Sequence, residues 1–146
     1  MRGMIMAASV LGLTLGGCGG RSGDGVTVED ARVQLPAVEG RPGVGYFELT
    51  TTRPVRITSV TSPRIGRIEL HQTREENGVS RMAKTDNVTF EHELSFAPGG
   101  RHAMLFGIDP SLAPGARVPL VFAFDQAPPV MVEAEVQAPG GAHSVH

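Results

Sequence analysis

Several things are scarce in this chain. Among its 146 residues there is one cysteine, no tryptophan, one tyrosine and a formal net charge of only −2. A single cysteine excludes an internal disulfide. The lack of tryptophan and the single tyrosine argue against stacking on bases or sugars, and no basic stripe is present to track a nucleic-acid backbone. No segment keeps helical periodicity over a helix-length window. None is long and apolar enough to span a membrane permanently. Catalytic signatures are missing too: there is no nucleophile elbow, zinc-protease helix or paired-carboxylate motif. These absences point to a binding protein rather than an enzyme, and to one without a nucleic-acid partner.

What is present is turn chemistry. The 19 glycines and 11 prolines fall between short apolar runs. From Val26 onward, apolar and polar residues alternate over strand-length segments such as "VTVEDARVQL", "VGYFELTT", "VRITSVTS", "VSRMAK", "HELSFA" and "RVPLVFAFD". Breakers such as "EGRPG", "EENG", "APGG" and "LAPG" separate them. Eight or nine strands at this spacing predict an all-β sandwich or small barrel, with antiparallel, Greek-key connections. The domain is expected over residues 26–138, followed by a disordered tail over 139–146.

The N-terminus reads as an address. "MRGMIMAASVLGLTLGGC" has a basic residue, an apolar stretch and then small residues. "LGGC" resembles a bacterial lipobox, in which a signal peptidase cuts before the cysteine and the cysteine carries lipid. Residues 1–17 are then a signal peptide, Cys18 the lipidated residue and 18–25 a flexible tether. The mature protein is expected on the periplasmic side of a bacterial membrane. Gly19 after the cysteine lacks the aspartate that retains lipoproteins at an inner membrane.

Four side chains carry possible chemistry. His102 and Met104, in "GGRHAMLFGID", are two residues apart and share one face of a strand, with Ala103 and Leu105 turned the other way. His71 closes the run "GRIEL", where a strand is expected to reach its turn. Met82 follows across "QTREENGVSR", a hairpin expected to turn at "EENG". Taken singly, the histidines read as surface or turn residues and the methionines as packing. Together, two imidazoles and two thioethers make a soft ligand set that favours Cu(I) and excludes Mg²⁺ and Ca²⁺. Thioethers need no deprotonation and resist oxidation better than thiols, which suits an exported protein.

The arrangement resembles a known family. His71, ten residues, Met82, nineteen residues and then His102-x-Met104 is similar to the pattern H-x10-M-x21-H-x-M of the periplasmic copper chaperones called PCu(A)C. "GYFELT", "RIELHQT", "APGGRHAMLFGID" and "VPLVFAFD" extend the resemblance from Val26 to Val136. The shorter second gap falls in "KTDNVTFEHELSFAP", and Gln72 stands where some members have methionine. The resemblance implies a cupredoxin-like Greek-key fold with an exposed Cu(I) site built from His71, Met82, His102 and Met104. It also implies delivery of copper to a partner: subunit II of cytochrome c oxidase, with its binuclear copper centre, or another assembly chaperone.

A monomer held to the membrane by its lipid anchor is expected. His143 and His146 in the tail offer a weak Cu(II) site, and His92 reads as a surface residue of a strand. A blue-copper electron carrier would need a cysteine thiolate that the domain lacks. A copper-zinc superoxide dismutase would need a denser histidine set. The competing reading is a non-metal envelope lipoprotein whose cupredoxin-like domain serves interactions.

Overall fold

The computed structural model describes residues 25–140. Those residues form ten strands and no helix: β1 Val26–Gln34, β2 Gly43–Thr51, β3 Val55–Thr61, β4 Ile65–Glu76, β5 Val79–Lys84, β6 Thr89–Phe90, β7 Glu93–Phe96, β8 Arg101–Ile108, β9 Arg117–Asp125 and β10 Val130–Gln137. The strand order is β5-β4-β8-β7-β2-β1-β10-β9-β3-β6, and β2 also pairs with β8 through Gly43–Gly45. β3 and β4 are consecutive in the chain yet lie near opposite ends of that order. They meet at a corner bridged between Ser62 and Ile65, so the sheet curls back on itself. This is the all-β architecture that the alternation predicts, in the cupredoxin-like Greek-key form that the family resemblance implies.

The curl encloses an apolar interior. On β2 the alternation buries Gly43, Gly45, Phe47 and Leu49. Phe47 packs against Phe96 at 4.5 Å and meets Phe122 of β9 edge-on at 4.8 Å, so β2 and β9 face each other across the core. Such aromatic pairs add about 0.5–1.5 kcal/mol beyond the area they bury. Gly43 is required by close approach: a Cβ there would stand 2.6 Å from Ile108 Cδ1 and 2.7 Å from the Gln34 carbonyl oxygen.

Three local expectations need correction. β6 is an additional strand, two residues pairing with Val55 and Arg56, between the expected strands "VSRMAK" and "HELSFA". Not every neighbour is antiparallel: β1 and β10, first and last in the chain, pair in parallel through Arg32–Gln34 and Glu135–Gln137. His71 does not end its strand, since β4 continues to Glu76. The turn is a two-residue one at Asn77–Gly78, both with positive φ (53° and 75°), inside the expected "EENG". That backbone matches strand twist, so the β4–β5 ladder runs unbroken from Glu76–Val79 to His71–Lys84.

β4 and β8 are clamped at the end remote from this hairpin. Arg64 donates from Nε and Nη2 to Asp109 Oδ2 at 3.0 and 2.9 Å. Ser111 donates to Asp109 Oδ1 from its backbone N–H at 2.9 Å and its hydroxyl at 2.8 Å. The Ser111 bonds first, and Arg64 after them, hold the Asp109 carboxyl at about 2, below its ordinary 3.8. A carboxyl lowered on folding stabilises the fold above its unfolded value and stops doing so as pH falls through the folded one. Asp109→Asn is therefore expected to melt below the wild type at neutral pH. Thermal melts at successively lower pH should show the gap closing between about pH 4 and about pH 2.

Candidate metal centre

The register of β4 against β8 places Glu69 opposite Met104, Leu70 opposite Ala103 and His71 opposite His102. Leu70, Ala103 and Leu105 point into the core. Glu69, His71, His102 and Met104 therefore share the outer face. On the other side of β4, His71 stands opposite Lys84 and Thr73 opposite Met82, which puts Met82 on that face as well. All four residues singled out in the sequence thus lie on one side of three adjacent strands.

They are not equally close. The two imidazole rings stack across the strand pair, with centroids 5.8 Å apart and planes 27° apart. Met104 is half-buried one step along β8, flanked by Glu69 of β4 and Val44 of β2. Met82 is 64% exposed on the edge strand. It is a diagonal rather than a direct neighbour of His71, at about 7–8 Å for such pairs. The hairpin does bring its two arms together, but the residue facing His71 is Lys84. Met82 and Met104 approach the histidine pair from opposite directions along the strands.

His102 is the only buried polar or charged residue among the described residues, at 8% exposure. Its Nδ1 lies 3.2 Å from the Gly100 carbonyl oxygen. A carbonyl can only accept, so Nδ1 carries the hydrogen and Nε2 keeps the lone pair. Nε2 is buried and has no hydrogen-bond partner. Leaving such an atom unsatisfied costs about 1–3 kcal/mol. The neighbouring Arg101 Nε is the other buried side-chain atom without a partner among the described residues.

His71 is held differently. Its Nε2 lies 3.1 Å from Glu69 Oε2, and Glu69 Oε1 accepts from Arg67 Nε at 3.0 Å. Arg67 in turn lies over the Phe106 ring at 4.3 Å. The hydrogen bond to His71 holds the Glu69 carboxyl below its ordinary range, and the Arg67 and Lys84 charges act in the same direction. Glu69 is the residue that reading the sequence for ligands passes over. The signal was there in "ELH", since a residue two before His71 must share its face.

Among the described residues no group of three His, Cys, Asp or Glu side chains is placed to hold a metal ion. A metal on this face would need thioether sulfur. His92 is exposed in the turn between β6 and β7 rather than on a strand. Cys18, His143 and His146, with the expected signal peptide, most of the expected tether and the end of the expected tail, lie outside the described residues.

Comparison with known proteins places the fold. The chain is 33% identical over 96 residues to an uncharacterised Rickettsia prowazekii protein, RP573, covering 62% of this chain and 53% of that protein. It thus spans about half the length of that relative. It is 27% identical over 156 aligned positions to "Putative lipoprotein Lxx21020" of Leifsonia xyli subsp. xyli, covering 98% of this chain and 93% of the relative. Among solved structures, the copper-bound PCuAC domain from PmoF2 superposes with a TM-score of 0.65 at 21% identity, covering 78% of this chain and 93% of that one. The fold is that of PCuAC domains. The family model described as "Putative lipoprotein LpqE-like" matches residues 26–136, almost all of the described residues, and the chain belongs to that LpqE-like family.

Proposed function

We propose that the protein is an exported copper carrier that holds Cu(I) between His71, His102 and Met104, with Met82 completing the set. It passes the ion to an acceptor protein. The observation that carries this reading is the buried, unpartnered Nε2 of His102, stacked beside His71 on a face that also presents Met104. An orphaned buried acceptor calls for an explanation, and a soft ion bound there supplies one. Imidazole and thioether together select a soft ion over hard ones and need no proton loss to bind it.

The ion is cargo, so it must be held and yet stay reachable. Met82, at 64% exposure on an edge strand, gives the site a ligand in open solvent where an acceptor can replace it. The copper-bound PmoF2 domain, which shares this fold, supports the assignment. The lipoprotein description of the family supports anchoring through Cys18 on the periplasmic side of the membrane. The acceptor we assign is the binuclear copper centre of cytochrome c oxidase, reached directly or through another assembly chaperone.

Cu(I) titration of the full-length chain in detergent, against a chromogenic competitor, tests the reading. A His143→Ser/His146→Ser background removes binding by the tail. One equivalent should be retained. Met104→Ala should weaken retention by about tenfold or more, since it takes one donor away (a factor of ten corresponds to about 1.4 kcal/mol). Met82→Ala should cost less, because Met82 lies diagonal to the histidine pair. No retention above the competitor by the wild type would leave the envelope interaction module as the function.

The same reading predicts a separation between stability and binding. His102→Phe removes the orphaned nitrogen while filling a similar shape. The metal-free variant should melt within about 1 kcal/mol of the wild type, because relief of the unsatisfied Nε2 offsets loss of the Nδ1–H bond to Gly100, whose carbonyl still accepts from the Thr73 N–H at 3.3 Å. Calorimetry without copper measures that, and the titration should show copper retention abolished.

A further inference from the structure

We propose that Glu69 is the positioning residue of this site. It fixes His71 in the tautomer that offers Nδ1 to Cu(I), while the Gly100 carbonyl fixes His102 in the opposite tautomer, which offers Nε2. The inference rests on the copper-carrier reading and adds the identity of the ligating atoms.

The argument is one of hydrogen inventory. An ionised carboxylate has no hydrogen to give, so the 3.1 Å contact between Glu69 Oε2 and His71 Nε2 requires the hydrogen on Nε2. A neutral imidazole carries one N–H, and the lone pair of His71 is then on Nδ1. No hydrogen bond among the described residues occupies that atom. At His102 the carbonyl of Gly100 imposes the reverse choice, leaving Nε2 open. The two rings are nearly parallel and directly opposite in register, but they expose different nitrogens.

Glu69 is itself held. Its second oxygen accepts from Arg67, and Arg67 is packed on Phe106. For Nε2 of His71 to take the ion, the Glu69 bond would have to break. For Nδ1 to take it, nothing breaks. An ion on Nδ1 draws electrons from the ring and makes Nε2–H a better donor, so the Glu69 contact strengthens as copper binds. Carboxylate–histidine–metal arrangements of this kind typically lose 10–100-fold in metal affinity when the carboxylate is removed.

Long-range ¹H–¹⁵N spectra of the histidine-labelled, full-length chain in detergent micelles test this, first without metal and then with one equivalent of Cu(I). The metal-free spectra should show Nε2–H for His71 and Nδ1–H for His102. Copper should then move Nδ1 of His71 and Nε2 of His102. In competitor titrations Glu69→Leu should weaken retention by about 10–100-fold. Glu69→Gln, whose amide oxygen still accepts, should lose less. Copper on Nε2 of His71, or tighter retention by Glu69→Leu, would make Glu69 a competitor for the imidazole and overturn the inference with the carrier reading intact. Copper uptake that moves neither imidazole, or no uptake, would overturn the carrier reading itself.

Discussion

The pairing of β4 with β8 is the constraint on which the rest depends. It sets His71 against His102, and it does so because Leu70, Ala103 and Leu105 are claimed by the core on the other face. A slip of one residue would turn every side chain of a strand over, driving His71 inward and Leu70 into solvent. The register is therefore specified by apolar burial that has nothing to do with the site. The Arg64–Asp109 clamp anchors the same two strands at their far end. The geometry of the proposed ligands is inherited from core packing.

What the outer face adds is a graded environment. His102 is buried, His71 and Glu69 are each less than a fifth exposed, and Met82 stands in solvent. Burying an imidazole nitrogen with no partner opposes folding, and a chain selected for stability alone would favour an apolar side chain there. Glu69 and Arg67 form a pair beside the site whose charges cancel, so the face carries no large local charge of its own. Lys84, opposite His71, projects outward and lies near Asp86 at 3.7 Å. A monovalent soft ion bound by uncharged donors suits such a face better than a hard divalent one, which would need several carboxylates.

Much of this was legible in the chain, and the parts that were not share a cause. Period-two alternation gave the all-β class and put His102 and Met104 on one face, because that relation lies within a single strand. The hairpin is legible too, and its register follows once the turn is placed. A two-residue turn at Asn77–Gly78 pairs Glu76 with Val79, and counting outward pairs Thr73 with Met82 and His71 with Lys84. Reading His71 as a strand end lost that count. The parallel contact of β1 with β10 joins residues about a hundred positions apart and leaves no local trace. The Glu69–His71 bond was visible as proximity in sequence. Its importance depends on Arg67 and Phe106, and on which nitrogen the opposite histidine leaves free.

The unequal exposure of the donors gives the proposed transfer a direction. An acceptor arriving from solvent would meet the exposed Met82 first, the proposed donor on the edge strand and the one whose loss leaves the other three in place. Exchange can then proceed one ligand at a time, with the ion passing through states shared between two proteins rather than through free solution. In the proposed carrier the last contact to yield would be His102, because it is buried and its ring is held by the Gly100 carbonyl at its own strand's entrance. On that proposal, retention and release would be divided between β8 and the β4–β5 hairpin. A site with all donors equally buried would keep its ion, and one with all donors equally exposed would lose it to water-borne competitors. The proposed soft ligands, spread across a core strand and an edge strand, would avoid both.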